Sequence, residues 1–204
     1  MHRRREHRVG KSGAGFTLPE LLVSIAIMGI LTGLVLANFR QGAFNDNLRL
    51  TAEDLASSIR QMQTDALTGY TPFSGSVADG GYGIRLITNG TTYLTYADRN
   101  DGTNPPNRLF QDPDAIGDPN DLLIRDGTYA FQRDVVVQSI TVTGVPLCPS
   151  GAGRVDLVFA PPRATPYFCG TEAAGVATVT LRHEQTDSTR TVHVNGVTGQ
   201  VSVD

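Results

Sequence analysis

The side chains able to do chemistry are few and scattered. His183 and His193 are the only histidines beyond residue 7. His183-Glu184-Gln185-Thr186-Asp187 opens like the His-Glu-x-x-His pattern of zinc hydrolases. Asp187, however, stands where the second imidazole must be, and the local wording is strand-to-turn rather than helix. Gly10-Lys11-Ser12 ends like a phosphate-binding loop, yet the upstream glycine of that loop is Arg5 here. No Gly-x-Ser-x-Gly elbow occurs. Cys148 and Cys169 are the only cysteines, and neither has a Cys or His at zinc-ligand spacing. These absences predict no catalytic residues, no cofactor and no enzyme. Asp98, Asn100, Asp101 and Asn104 supply hard oxygen donors suited to Ca²⁺, but their spacing is not that of an EF-hand loop, and a solvated turn is the favoured reading. Glu20 stands apart from all of these, because it is an ionisable carboxylate at the edge of residues 21–39, a run of 19 residues without a charge.

That run dictates the first element. A helix over residues 16–39 is roughly 36 Å long, enough for the hydrocarbon core of a bilayer and part of its headgroup layer. Ahead of it, residues 1–15 carry Arg3, Arg4, Arg5, Arg8 and Lys11 against Glu6 alone. Basic flanks stay cytoplasmic, which sends everything after Arg40 across the membrane. Beyond that point there are 11 Arg and no Lys against 18 Asp and Glu, a net charge of −7. So acidic a domain repels polyanions on average, which argues against nucleic acid as a partner. An ordinary secretory signal fits poorly, since its peptidase needs small residues after the apolar stretch and Phe39 occupies the position nearest the cut.

The order of parts is distinctive: Gly15 precedes the apolar run. The string Gly15-Phe16-Thr17-Leu18-Pro19-Glu20 with the span behind it resembles the prepilin motif of type IV pilins and type II secretion pseudopilins. The resemblance implies cleavage after Gly15 by a membrane prepilin peptidase that also methylates the new N-terminal Phe16. It further implies that Glu20 pairs with the free amine of a neighbouring subunit's Phe16. A cation is what Glu20 needs on physical grounds, because a carboxylate in an apolar helix costs on the order of 3 kcal/mol near a bilayer centre and less toward the interface. The alternative is that Glu20 snorkels to the headgroups. Pro19 suits a first helical turn, where a missing N–H is harmless. Gly29 and Gly33 form a small-xxx-small pair that permits close helix approach.

Downstream, Leu48, Ala52, Leu55, Ile59, Met62 and Ala66 recur at intervals of three and four, with Arg49, Glu53, Asp54, Arg60, Gln61 and Asp65 mostly on other faces. This predicts an amphipathic helix ending near Gly69 that lays one stripe on a sheet, loosened from the first half around Gly42 and Asn45-Asp46-Asn47. Residues 82–88 and 91–97 flank Asn89-Gly90 and predict a β-hairpin with a type I′ turn. Further strands are expected at 134–143, 154–160, 176–182, 189–194 and 200–203, with residues 98–121 as a long polar surface loop. The fold class is α+β, a long N-terminal helix packed on antiparallel sheets. The domain reading is 1–15 leader, 16–40 membrane and filament-core helix, 41–70 amphipathic helix and 71–204 exported β-rich domain.

This element order, together with YGIRL, Tyr96-Ala97-Asp98-Arg99-Asn100-Asp101-Gly102 and Val194-Asn195-Gly196-Val197-Thr198-Gly199-Gln200-Val201, resembles the GspH/FimT-type minor pseudopilins and minor pilins. The resemblance implies a structural subunit, anchored in a bacterial inner membrane with a periplasmic globular domain. It would initiate or cap a type II secretion pseudopilus or type IV pilus, with other pilins as partners through the N-terminal helix. A minor pilin capturing DNA or another extracellular ligand for uptake or adhesion is the alternative. Export into an oxidising compartment makes a Cys148–Cys169 disulfide the leading reading, against two isolated buried thiols. Closing that loop contributes roughly 3 kcal/mol by chain entropy.

Overall fold

The structure, a computed structural model, describes residues 15–72, 75–98, 108–110, 121–144 and 153–204, apart from the side chains of 37–41 and 126. The chain divides into two compact units, Met1–Gly42 and Ala43–Asp204, and the boundary falls inside a single helix, α1 (Leu18–Thr68). Helical structure runs on through Gly42 and Asn45–Asn47 on both sides of this boundary. Low intrinsic propensity costs only up to ~1 kcal/mol per residue, too little to open a ladder that both flanks favour.

Among the described residues of the second unit ten antiparallel strands follow: β1 (Gly81–Ile87), β2 (Thr92–Asp98), β3 (Asp121–Ala130), β4 (Val135–Val142), β5 (Arg154–Ala160), β6 (Thr165–Phe168), β7 (Thr171–Glu172), β8 (Val176–His183), β9 (Thr189–Asn195) and β10 (Val201–Val203). They form two sheets, in the orders β3-β2-β1-β5-β6-β7 and β10-β9-β8-β4. The predicted stripe Leu48, Ala52, Leu55, Ile59, Met62 and Ala66 is buried throughout. It shares one core with Tyr82, Ile84 and Leu86 of β1, Leu157 and Phe159 of β5, and Val179, Leu181, Val192 and Val194 of the other sheet. Each fully buried aliphatic side chain here contributes about 1.5–3 kcal/mol of hydrophobic stabilisation. β8 shows the period-2 pattern that such packing selects, its alternate side chains Ala177, Val179, Leu181 and His183 facing inward.

The hairpin forms, but its turn is not the two-residue type I′ expected. Residues 88–91 lie between the strands, Gly90 N–H donates to Ile87 O (2.9 Å), and Asn89 takes φ 61° while Gly90 stays outside the positive region. The reason lies in the opposite sheet. Asn89 N–H donates to Val137 O (2.7 Å) and Gly90 O accepts from Val137 N–H (3.1 Å), where the β4–β8 register shifts between Val137 and Ser139. The turn is thus shaped by a tertiary pairing that stitches the two sheets together.

Strands β3, β6 and β7 were not expected. In β3 four residues, 124–127, stand opposite Thr95 alone, since Leu94 pairs with Thr128 and Tyr96 with Leu123. This bulge carries Arg125 and Gly127 at φ 58° and 70°, and Thr95 Oγ1 donates to Ile124 O (3.0 Å) to hold it. From it Arg125 reaches Asp65 (2.9 and 3.2 Å), which also accepts from Gln61 (2.9 Å). Asp65 belongs to the polar set that the helical spacing puts mostly off the apolar stripe. It is buried, and this ion pair is what permits it.

The segment 98–121, expected as a surface loop, is packed where it is described. Phe110 is buried on the outer face of the six-stranded sheet with Tyr96 and Val158. Tyr96 lies across Gly83, where an added Cβ would sit 2.6 Å from its ring carbon Cζ. Beneath Phe110, Arg85 makes a bidentate pair with Asp156 (both 2.7 Å) and donates to Phe110 O (2.8 Å).

Three phenols are held in this fold. Burial raises Tyr96 well above the ordinary 10.0 and raises Tyr82 and Tyr93 as well. An acid whose folded value is raised keeps its proton in the fold while the unfolded chain gives it up. Stability is therefore full below pH 10 and falls as pH climbs from there toward the folded values. Denaturant midpoints measured from pH 9 to 12 should decline above pH 10. Phenolate absorbance from three of the six tyrosines should lag until unfolding. Full ionisation near pH 10 with the fold intact would contradict these burials.

Candidate functional site

The N-terminal unit positions the residues singled out around Gly15. Thr17 is the last residue before α1, and its carbonyl accepts the Leu21 N–H (3.2 Å), the role of a helix N-cap. Thr17 and Glu20 have the spacing of a capping box, and Glu20 in the first turn complements the positive helix end. Pro19 sits in that same turn, as its fixed φ favours. Sequence thus makes a helix start at Leu18 and leaves Gly15-Phe16-Thr17 outside the helix.

Behind the stub, Leu18–Leu36 is long and apolar enough to cross a membrane, and none of it is buried within the chain. Phe16 is 79% exposed, and Leu21, Ile25, Met28 and Leu36 are more than half exposed. An apolar surface of this extent is unstable in water and calls for lipid or a partner. Two hydroxyls within the span are satisfied by the helix itself. Ser24 Oγ donates to Glu20 O (2.8 Å) and Thr32 Oγ1 to Met28 O (2.7 Å), as the absence of water in a bilayer requires. A Cβ added at Gly29 or Gly33 meets nothing within 4 Å, so the chain on its own gives no packing reason for glycine there.

The remaining candidates are dispersed. Asp98 is buried and its carboxylate accepts the Arg108 N–H (2.9 Å), while Asn100, Asp101 and Asn104 lie outside the described residues. Among the described residues no group of three or more His, Cys, Asp or Glu is disposed to hold a metal. Cys169 is buried after β6 with φ 54°, and Cys148 lies outside the described residues. His183 is buried on β8, its ring 4.7 Å from that of Phe44, its Nδ1 accepting from Gln185 N–H (3.3 Å). His193 faces outward, Nδ1 3.0 Å from Thr178 Oγ1 and Nε2 3.2 Å from Asp204. The two histidines are thus partnered separately, each within its own surroundings.

One feature escaped the sequence altogether. Tyr93 and Tyr129, cross-strand partners on β2 and β3, stack at 5.2 Å and 9°, with Phe131 at 5.5 Å from Tyr93, along a cleft whose other wall is α1. The signal for it existed only as Tyr129 and Phe131 two residues apart, in a stretch whose Asp126-Gly127 reads as a turn.

Comparison with known families agrees with the N-terminal geometry. The model of the prokaryotic N-terminal methylation motif matches residues 11–36, which includes Gly15, Phe16, Glu20 and most of the apolar span. The chain therefore carries a type IV pilin-like signal. Neither the curated proteins nor the solved structures gave a match to the chain.

Proposed function

We propose that this protein is a structural subunit of a type IV pilin-like filament, made as a precursor and cut between Gly15 and Phe16. The observation that carries the reading is the methylation motif of residues 11–36 lying on an apolar helix with no internal cover. Residues 1–15 are the leader. Prepilin peptidase removes it and methylates Phe16, and residues 16–40 then hold the subunit in the bacterial inner membrane before entering the filament core. The acidic domain faces the periplasm. Its helix over 41–70 and sheets over 71–204 form the outward body of the subunit.

The α+β body, with its amphipathic helix leading into β1 and β2, supports the narrower assignment to the GspH/FimT-type minor pseudopilins or minor pilins. Such a subunit initiates or caps a type II secretion pseudopilus or type IV pilus. Its work is assembly rather than catalysis. Phe16 and Glu20 set the register between neighbours, and a Cys148–Cys169 disulfide braces the exported domain.

The test is the mature N-terminus. The full chain, expressed with and without a prepilin peptidase, is read by intact and peptide mass spectrometry. A product beginning at N-methylated Phe16 and lighter by two hydrogens for the disulfide is expected. A chain left uncut at Gly15, or cut after Leu36, sinks the filament reading.

A further inference from the structure

Two arginines of the described domain are held in the same way. Arg85 lies 4.6 Å from the Phe110 ring centroid while a carboxylate, Asp156, grips its guanidinium. Arg125 lies 5.4 Å from the Tyr70 centroid while Asp65 grips it. Ring face and carboxylate together satisfy both characters of a guanidinium, its flat weakly hydrated surface and its in-plane N–H donors.

The cleft between α1 and the edge of β3 offers the same combination with no arginine in it. One wall presents Asp54, Ser57 and Ser58, and the other Tyr93, Tyr129 and Phe131. Ser58 Oγ and Tyr93 OH are hydrogen-bonded at 2.8 Å, which fixes the ring stack against the helix. Asp54 is exposed, and it joins none of the ion pairs formed among the described residues. Its nearest basic neighbours on the helix, Arg49 and Arg60, are five and six residues away, off the i±3 and i±4 positions that would pair with it. The open space is about 240 Å³, below the usual range for a drug-sized ligand and suited to one long side chain.

We propose that this cleft is a docking site for a single arginine side chain presented by a partner protein, its guanidinium stacked on Tyr129 and hydrogen-bonded to Asp54. The acidic balance of the exported region adds to the attraction of such a cation. The site is independent of the filament reading, since a chain that is never cleaved at Gly15 still carries it.

The test uses the full chain in detergent micelles with ¹³C-labelled tyrosine rings. N-acetyl-arginine amide should shift the Tyr93 and Tyr129 resonances saturably, and added salt should weaken the effect. N-acetyl-citrulline amide, equal in shape but uncharged, should produce no saturable shift. Asp54→Asn should weaken binding by about tenfold, as expected for loss of a charge-assisted hydrogen bond, and Tyr129→Leu should weaken it independently. Equal binding of the citrulline analogue, or unchanged affinity in Asp54→Asn, overturns the proposal. Equal binding of N-acetyl-lysine amide overturns the guanidinium assignment. Tighter binding of free L-arginine than of its blocked form assigns the cleft to an amino-acid ligand and overturns the protein partner.

Discussion

Arg85→Ala should destabilise the β-rich domain by about 3–5 kcal/mol, the cost of leaving one partner of a buried ion pair alone. The whole of Asp156 is inaccessible to solvent, and Arg85 supplies both of its short bonds. Burial already pushes the Asp156 carboxyl upward, with Arg85 pulling the other way. Removing the guanidinium leaves the desolvation opposed only by the weaker pull of Arg154 and the Phe110 backbone, so Asp156 is expected to take up a proton or the surrounding strands to open. The same substitution removes the donor to Phe110 O, freeing the one described stretch of the 98–121 segment from the sheet. The measurement is urea denaturation of the full chain in mild detergent, followed by near-ultraviolet circular dichroism of the tyrosines. The double variant Arg85→Met/Asp156→Leu should recover most of the loss, because a well-packed apolar pair carries no desolvation penalty. A loss below about 1 kcal/mol in the single variant would place the pair among ordinary exposed ion pairs, in contact with water.

That pair also marks where sequence reasoning stops. The helix stripe from Leu48 to Ala66 and strands such as 176–182 were legible because their burial is periodic and self-contained, one face in and one face out. β1 defeats that logic: six of its seven residues are buried, since Phe110 covers the face that the pattern YGIRL assigns to solvent. β3 was hidden by its own bulge, whose Asp-Gly wording is that of a turn although Thr95 and Asp65 hold it in the sheet. β6 was hidden by Pro166, which lacks a ladder N–H but accepts through its carbonyl from Ala173 (3.0 Å). The methylation motif over residues 11–36 was legible for the opposite reason. A peptidase and a membrane read a linear string, so residue type and order carry the information without tertiary folding. The aromatic cleft requires two segments 75 residues apart, Asp54 and Tyr129, to meet, and nothing local announces that.

Glu20→Ala should leave processing intact and abolish filament assembly. In the proposed pathway the two outcomes separate because cleavage acts on the non-helical Gly15-Phe16 stub, whereas assembly depends on what Glu20 does after cleavage. Among the described residues no ion pair neutralises this carboxylate: it stands exposed in the first turn of a helix whose next charged residue is Arg40. Buried against other apolar helices, an unpaired carboxylate costs several kcal/mol, and the newly freed amine of a neighbour's Phe16 is the cation able to offset it. Alanine removes the cost along with the attraction, so the subunit should remain membrane-bound and N-methylated while losing the register that selects a neighbour. Glu20→Gln keeps the shape and hydrogen-bonding capacity without the charge and should fall between, nearer to alanine. Sheared-filament yield, scored beside the mature mass of the membrane-bound pool, distinguishes these cases. A fall of tenfold or more, about 1.4 kcal/mol per contact, is expected for alanine. Normal filaments from a correctly cleaved Glu20→Ala chain would leave Glu20 the smaller role of a helix-start carboxylate at the headgroup boundary, worth a few tenths of a kcal/mol through the helix dipole.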